Sequence, residues 1–147
     1  MSRAPSAPTM GRLGWFVALA LALAHLARGR AGGTRRTRNA PGAFVLHVEL
    51  EFTNENAAKT LVDAWSECAD WCRTREKTLW HYEISQSDVD GLKYSIHERY
   101  RSKEDYAGAH KSTAAYKAFR PKLRALQDSG EVKVTGSSYV ELGRGFV

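Results

Sequence analysis

Residues 79–119 read LWHYEISQSDVDGLKYSIHERYRSKEDYAGAHKSTAAYKAF. Two apolar-aromatic runs, Leu79–Ser85 and Leu92–Tyr100, flank the turn-rich segment Gln86–Gly91. Alternation within each run predicts a strand. Ser87, Asp88, Asp90 and Gly91 supply turn chemistry, with Gly91 free to take positive φ. Ser102 with Asp105 three residues on resembles a capping box and predicts a helix start. Strand, turn, antiparallel strand and capped helix make a compact unit. On one face it groups Trp80, Tyr82 and Ile84 with Tyr94, Ile96, Glu98 and Tyr100. Leu79, His81 and Glu83 take the other face with Lys93, Ser95, His97 and Arg99. The following helix, running to about His110, brings that histidine near Glu98 on the inner side of the sheet.

Phe44–Phe52, FVLHVELEF, alternates over nine residues and predicts a half-buried first strand. Thr53 or Asn54 can cap the next helix, in which Ala58, Leu61, Trp65, Cys68 and Cys72 recur at steps of three and four. Ser112 or Thr113 restarts a second long helix, with the stripe Tyr116, Phe119, Leu123 and Leu126. Pro121 should kink or locally break it, and Gly130 should end it. Val132–Leu142 predicts a last strand, bent at Gly136. The order βαββαβ is a ferredoxin-like α+β arrangement, an antiparallel sheet with helices on one face. Its first and third strands are neighbours, and pairing residues whose numbers sum to about 144 centres the two runs on each other. The uncovered sheet face must meet solvent or a partner, which predicts a homodimer.

The net charge of +6 is not a property of the domain. Residues 1–48 hold seven Arg and no acid, which leaves 15 Lys and Arg (22 less 7) against 16 Asp and Glu. A near-neutral domain gives no basic face for nucleic acid. Arg3 and Arg12, the apolar run Leu13–Leu26 and the small residues after it have the layout of a secretory signal. That run is shorter than the ~20 residues of a spanning helix, so no stable membrane anchor is expected. The acid-free segment Ala31–Pro41 suits an organelle transit peptide, and a two-part or mitochondrial presequence fits as well. Residues 1–42 are therefore expected to be removed on the way to the secretory pathway or an organelle such as a plastid. Residues 43–147 form the domain.

Glu98 is the one carboxylate in an otherwise apolar helix-side layer. His110, Tyr82, Tyr94 and Tyr106 are candidates to bond it. An apolar pocket with a few convergent polar groups is a binding-site pattern. The alternative is a buried Glu–His or Glu–Tyr bond that only ties helix to sheet. The opposite face gathers His47, Glu49, His81, Glu83 and His97, with His47 and His97 in a position to be opposed. Their cross-strand spacing is not a metal-ligand motif, and a polar sheet face within a dimer is the plainer reading. Cys68 and Cys72, four apart on one helix face, read as small buried residues; no partner cysteine points to a metal or redox site.

These residues resemble the antibiotic biosynthesis monooxygenase domain over about residues 44–127. The resemblance is carried by the Trp-containing helix, LWHYEI, Glu98-Arg99-Tyr100, Ala109-His110 and the pair Tyr116 and Phe119. It implies a dimeric α/β barrel in which two subunits pack sheet against sheet, each with its own pocket between sheet and helices. It also implies oxygenation of a small phenol or quinol by molecular oxygen with no metal, flavin or other cofactor. In that implied mechanism Glu98 and His110 serve as acceptor and base. Tyr82 and Tyr94 orient the phenol, Trp80 and Trp65 shape the wall, and Tyr106 and Phe119 complete the lining. Relatives that degrade haem use an Asn on the first strand, a Trp in the short helix and a His in the longer one. This chain lacks the first two and has Phe119 where the His is expected, which argues against haem degradation. A non-catalytic dimer binding a small apolar ligand is the alternative function.

Overall fold

The structure, a computed structural model, describes residues 40–145. The expected targeting segment lies outside them, apart from its last three residues. Strand β1 (Phe44–Phe52) leads into helix α1 (Glu55–Arg75), then β2 (Leu79–Gln86) and β3 (Lys93–Tyr100). A π-helical turn (Asp105–His110), helix α2 (Ala114–Asp128) and strand β4 (Val132–Val140) complete the chain. The four strands form one antiparallel sheet in the order β2-β3-β1-β4. This is the ferredoxin-like α+β fold. No helix among the described residues is long and apolar enough to cross a membrane.

Local chemistry sets the boundaries. Asn54 caps α1 by accepting from the Ala57 amide at 2.8 Å. Thr113 caps α2 through the Tyr116 amide at 3.1 Å. Such caps contribute about 1 kcal/mol each. Helix α2 closes in a Schellman turn: Gly130 takes φ +74°, its amide bonds Gln127 O, and the Glu131 amide bonds Leu126 O. Helix α2 runs on through Pro121 rather than breaking there. Phe119 and Leu123, buried on either side of the proline, pin the helix to the core. The β2–β3 turn closes without positive φ at Gly91. Ser87 Oγ accepts from the Val89 and Asp90 amides instead, and Asp90 Oδ1 from Leu92.

Along the β1–β3 ladder, partner numbers sum to 144 from Phe44–Tyr100 to Glu51–Lys93. Phe44, Leu46, Val48, Leu50 and Phe52 therefore share the helix side with Tyr94, Ile96, Glu98 and Tyr100. The predicted stripe of α1 is buried against them, with Leu61 fully enclosed; burying one such leucine contributes about 2 kcal/mol.

Strand β2 departs from simple alternation. Its ladder slips between Leu79 and His81, so Leu79 pairs with Tyr100 and is buried in the core. Trp80 sits in the bulge with its ring 5.0 Å from the Arg99 guanidinium. Arg99 projects from the open face, so Trp80 lies there and not on the helix side. A bulge inserts one residue and reverses the facing of what precedes it. Period-two reading cannot see that slip.

The open face carries the histidines. His47 pairs with His97, their rings 6.3 Å apart, and His81 lies 5.1 Å from His97. His47 Nε2 is 3.0 Å from Ser95 Oγ. Burial together with the neighbouring His81 and His47 lowers the His97 pKa. At the end of β4, both guanidinium nitrogens Nε and Nη2 of Arg99 donate to Glu141. That pairing holds the Glu141 carboxyl below its usual range. Tyr139, Val140 and Leu142 are exposed.

Candidate active site

The site is built where α1 ends against the π-helical turn. Cys68, Cys72 and Glu76 recur every four residues, so one helix face aims all three at the same place. Glu76 is the C-cap of α1; its amide still bonds Cys72 O at 2.9 Å. Opposite stands His110, the last residue of the π-helical turn, whose wider winding is often found at functional sites. The His110 Nδ1–H donates to Glu76 Oε2 at 2.9 Å, with both side chains at most 5% exposed. In the neutral ring this bond places the proton on Nδ1 and the lone pair on Nε2. The other Glu76 oxygen, Oε1, is buried with no hydrogen-bond partner.

Four tyrosines surround the imidazole. Ring centroids of Tyr82, Tyr100 and Tyr116 lie at 5.7, 5.3 and 5.1 Å, and Tyr106 stacks at 6.4 Å. Tyr82 and Tyr100 are buried from the sheet side, while Tyr106 and Tyr116 are half-buried at the rim. Lys111 lies over the Tyr106 ring, 4.3 Å from its centroid.

Glu98 sits on β3 beside this shell and is 7% exposed. The Tyr100 hydroxyl donates to its Oε2. Burial pushes the Glu98 carboxyl above its usual range, and the Tyr100 bond and nearby His110 offset only part of that. Burial, together with the Glu98 charge, raises the Tyr100 and Tyr82 phenols. The Cys72 thiol, donating to Cys68 and buried, is held well above the ordinary thiol range.

The predicted residues divide accordingly. Glu98, His110, Tyr82 and Tyr106 are brought together, and Trp65 joins them with its ring 4.8 Å from Tyr82. Phe119 is a core residue. Tyr94 is on the expected face but at its far end, against Phe52 and Gln86. Four residues of strand separate it from Glu98, about 13 Å. Trp80 is on the other face, as described above. His110 was expected beside Glu98, yet its bonded partner is Glu76. Glu76 escaped sequence reading because Arg73, Arg75 and Lys77 around it mark an ordinary basic helix end. The step of four from Cys68 through Cys72 was the available signal. Tyr100, on the Glu98 face, was also missed as its donor.

A cleft of about 470 Å³ opens elsewhere, on the uncovered sheet face between Glu49, Glu51, Lys93, Ser95 and Thr135. Neither Glu98 nor His110 lines it. Of the four rings around the imidazole, Tyr106 and Tyr116 are the two that are only half-buried.

With this geometry in place, comparison with known proteins decides the family. The family model for antibiotic biosynthesis monooxygenases matches residues 43–122. The chain belongs to that family. Among solved structures, a candidate antibiotic biosynthesis monooxygenase from Nitrosomonas europaea is 23% identical with TM-score 0.56, covering 67% of this chain and 98% of that one. SnoaB, a cofactor-independent oxygenase from Streptomyces nogalater, is 8% identical with TM-score 0.55, covering 69% and 93%. A conserved protein from Methanosarcina mazei is 10% identical with TM-score 0.59, covering 70% and 96%. At these identities the structural likeness concerns the fold. No curated protein matches the chain.

Proposed function

We propose that this antibiotic biosynthesis monooxygenase family member is a cofactor-independent monooxygenase acting on a small phenol or quinol. The observation that carries the reading is the buried Glu76–His110 pair, set in a shell of four tyrosines with Nε2 not engaged by any described residue. Family membership and the shared fold with a cofactor-independent oxygenase support it.

A phenol entering past Tyr106 and Tyr116 presents its hydroxyl to His110 Nε2. Glu76 holds the imidazole in the basic orientation and stabilises the imidazolium that forms. In a dry aromatic layer the phenolate is poorly solvated and reduces molecular oxygen more readily. Overall, phenol plus oxygen gives quinone plus water. One oxygen atom enters at a ring C–H, the other leaves as water, and the ring supplies all four electrons. Burial raises the Glu98 carboxyl, which disfavours a competing negative charge beside the phenolate, and Glu98 accepts from Tyr100.

Purified protein given a hydroquinone-type substrate should consume one oxygen molecule per molecule oxidised, and label from ¹⁸O₂ should appear in the product. Stoichiometric binding with no uptake above the protein-free rate would replace the enzyme with a small-ligand binding protein.

We also propose that two copies pack open face to open face. The described helices leave the histidine-bearing face uncovered, and Tyr139, paired with Val45, is exposed there. Sedimentation equilibrium should give twice the chain mass; a monomer at micromolar concentration would remove the barrel.

A further inference from the structure

We propose that Cys72, Glu76 and His110 form a binding site for a thiophilic divalent cation of the zinc type. This does not rest on the oxygenase reading. The Cys72 sulfur, a Glu76 oxygen and a His110 ring nitrogen all lie within 4.8 Å of one another. In a tetrahedral zinc site, bonds of about 2.0–2.3 Å put neighbouring ligand atoms about 3.3–3.8 Å apart. The His110–Glu76 contact, at 2.9 Å, is already shorter than this. Closing the set therefore asks for side-chain movements of about an ångström.

A second observation points the same way. Glu76 Oε1 is buried without a partner, on a side chain 5% exposed. An unbonded carboxylate oxygen in a dry interior costs about 1–3 kcal/mol, and a cation bound there would remove that cost. Charge agrees too. A thiolate, a carboxylate and a neutral imidazole together carry −2, which a divalent ion cancels. Sulfur and nitrogen donors select zinc or a similar metal over magnesium or calcium. Cys68, one turn back on the same face, has its thiol within hydrogen-bonding reach of Cys72. Among the described residues the open-face histidines form no comparable set.

Because the three ligands are buried, the ion would enter during folding, and binding it releases the Cys72 proton and shifts the imidazole proton from Nδ1 to Nε2. His110 Nδ1 holds either a proton for Glu76 or a metal ion, so loaded and unloaded chains differ at that atom.

The test refolds the full chain from denaturant under a thiol-compatible reductant, with and without Zn²⁺ or Co²⁺, and removes excess metal by gel filtration. The expected result is one metal ion per chain. The cobalt form should show thiolate charge-transfer absorbance and the visible bands of a tetrahedral site. Cys72→Ser, nearly isosteric, should keep the far-UV circular dichroism of the wild type and lose the charge-transfer band. Zn²⁺ should raise the unfolding midpoint of the wild type and not of Cys72→Ser. Folded wild type that retains no metal, or a Cys72→Ser variant with an unchanged cobalt spectrum, would overturn the proposal.

Discussion

His110→Ala should lower oxygenase kcat/KM by about 10²–10⁴-fold, the usual contribution of a positioned general base. It should also destabilise the protein by about 3 kcal/mol, because Glu76 is then left as a buried carboxylate without its hydrogen-bond donor. The imidazole is 1% exposed and touches four tyrosine rings, so part of the loss is packing. To separate chemistry from folding, Glu76→Gln is the better probe. Its amide oxygen still accepts from Nδ1–H, so the fold should hold, while the imidazolium loses its counter-charge. Turnover should fall at least about tenfold with the unfolding midpoint little changed. Full oxygen uptake in a folded His110→Ala protein would remove His110 from the mechanism, and full uptake in Glu76→Gln would remove the pair.

Glu98→Gln should stabilise the protein at pH 8 and leave it nearly unchanged at pH 4. Burial raises the Glu98 carboxyl above its ordinary value of 4.5 in the folded state. A raised folded-state value contributes stability that is fully present below the unfolded value. That stability is lost as pH rises through the folded one. The wild type should therefore weaken above pH 4.5 at this position, whereas glutamine, uncharged, does not. The gain at pH 8 should be on the order of 1–3 kcal/mol, the cost of holding an imperfectly bonded polar group in a dry layer. Urea unfolding at the two pH values reads the difference directly. A gap that does not change with pH, or a glutamine variant weaker at pH 8, would mean that Glu98 is ionised and well bonded. Turnover gives a second reading: a neutral acceptor is replaced by glutamine at little loss, whereas a base is not.

Together the two variants revise how the acidic and basic roles divide. Glu98 is the acid that the alternation of β3 points to, since one carboxylate among Tyr94, Ile96 and Tyr100 stands out by pattern alone. Yet the group that orients His110 comes from α1, across 34 positions of chain. Apart from the step of four from Cys68 and Cys72, nothing local to Glu76 marks it. Whether a helix-terminal carboxylate turns inward depends on where the following strand starts and on what lies opposite. The same holds for Trp80. Its neighbours alternate cleanly, but Leu79 has to fill the core beside Tyr100, and the slip that allows this sends the indole to Arg99.

What the amino-acid order determined by itself was every property of period two or of three to four residues. That covers the strands and their facing beyond the bulge, the buried stripe of α1, the capped helix starts, and the β1–β3 register. These follow from local sterics and from keeping apolar side chains out of water. What only the tertiary structure decided was which polar groups meet inside. Hydrogen bonds between Glu76 and His110, or a bulge at Trp80, are settled by the packing of distant segments against one another. No spacing along a single element encodes that packing.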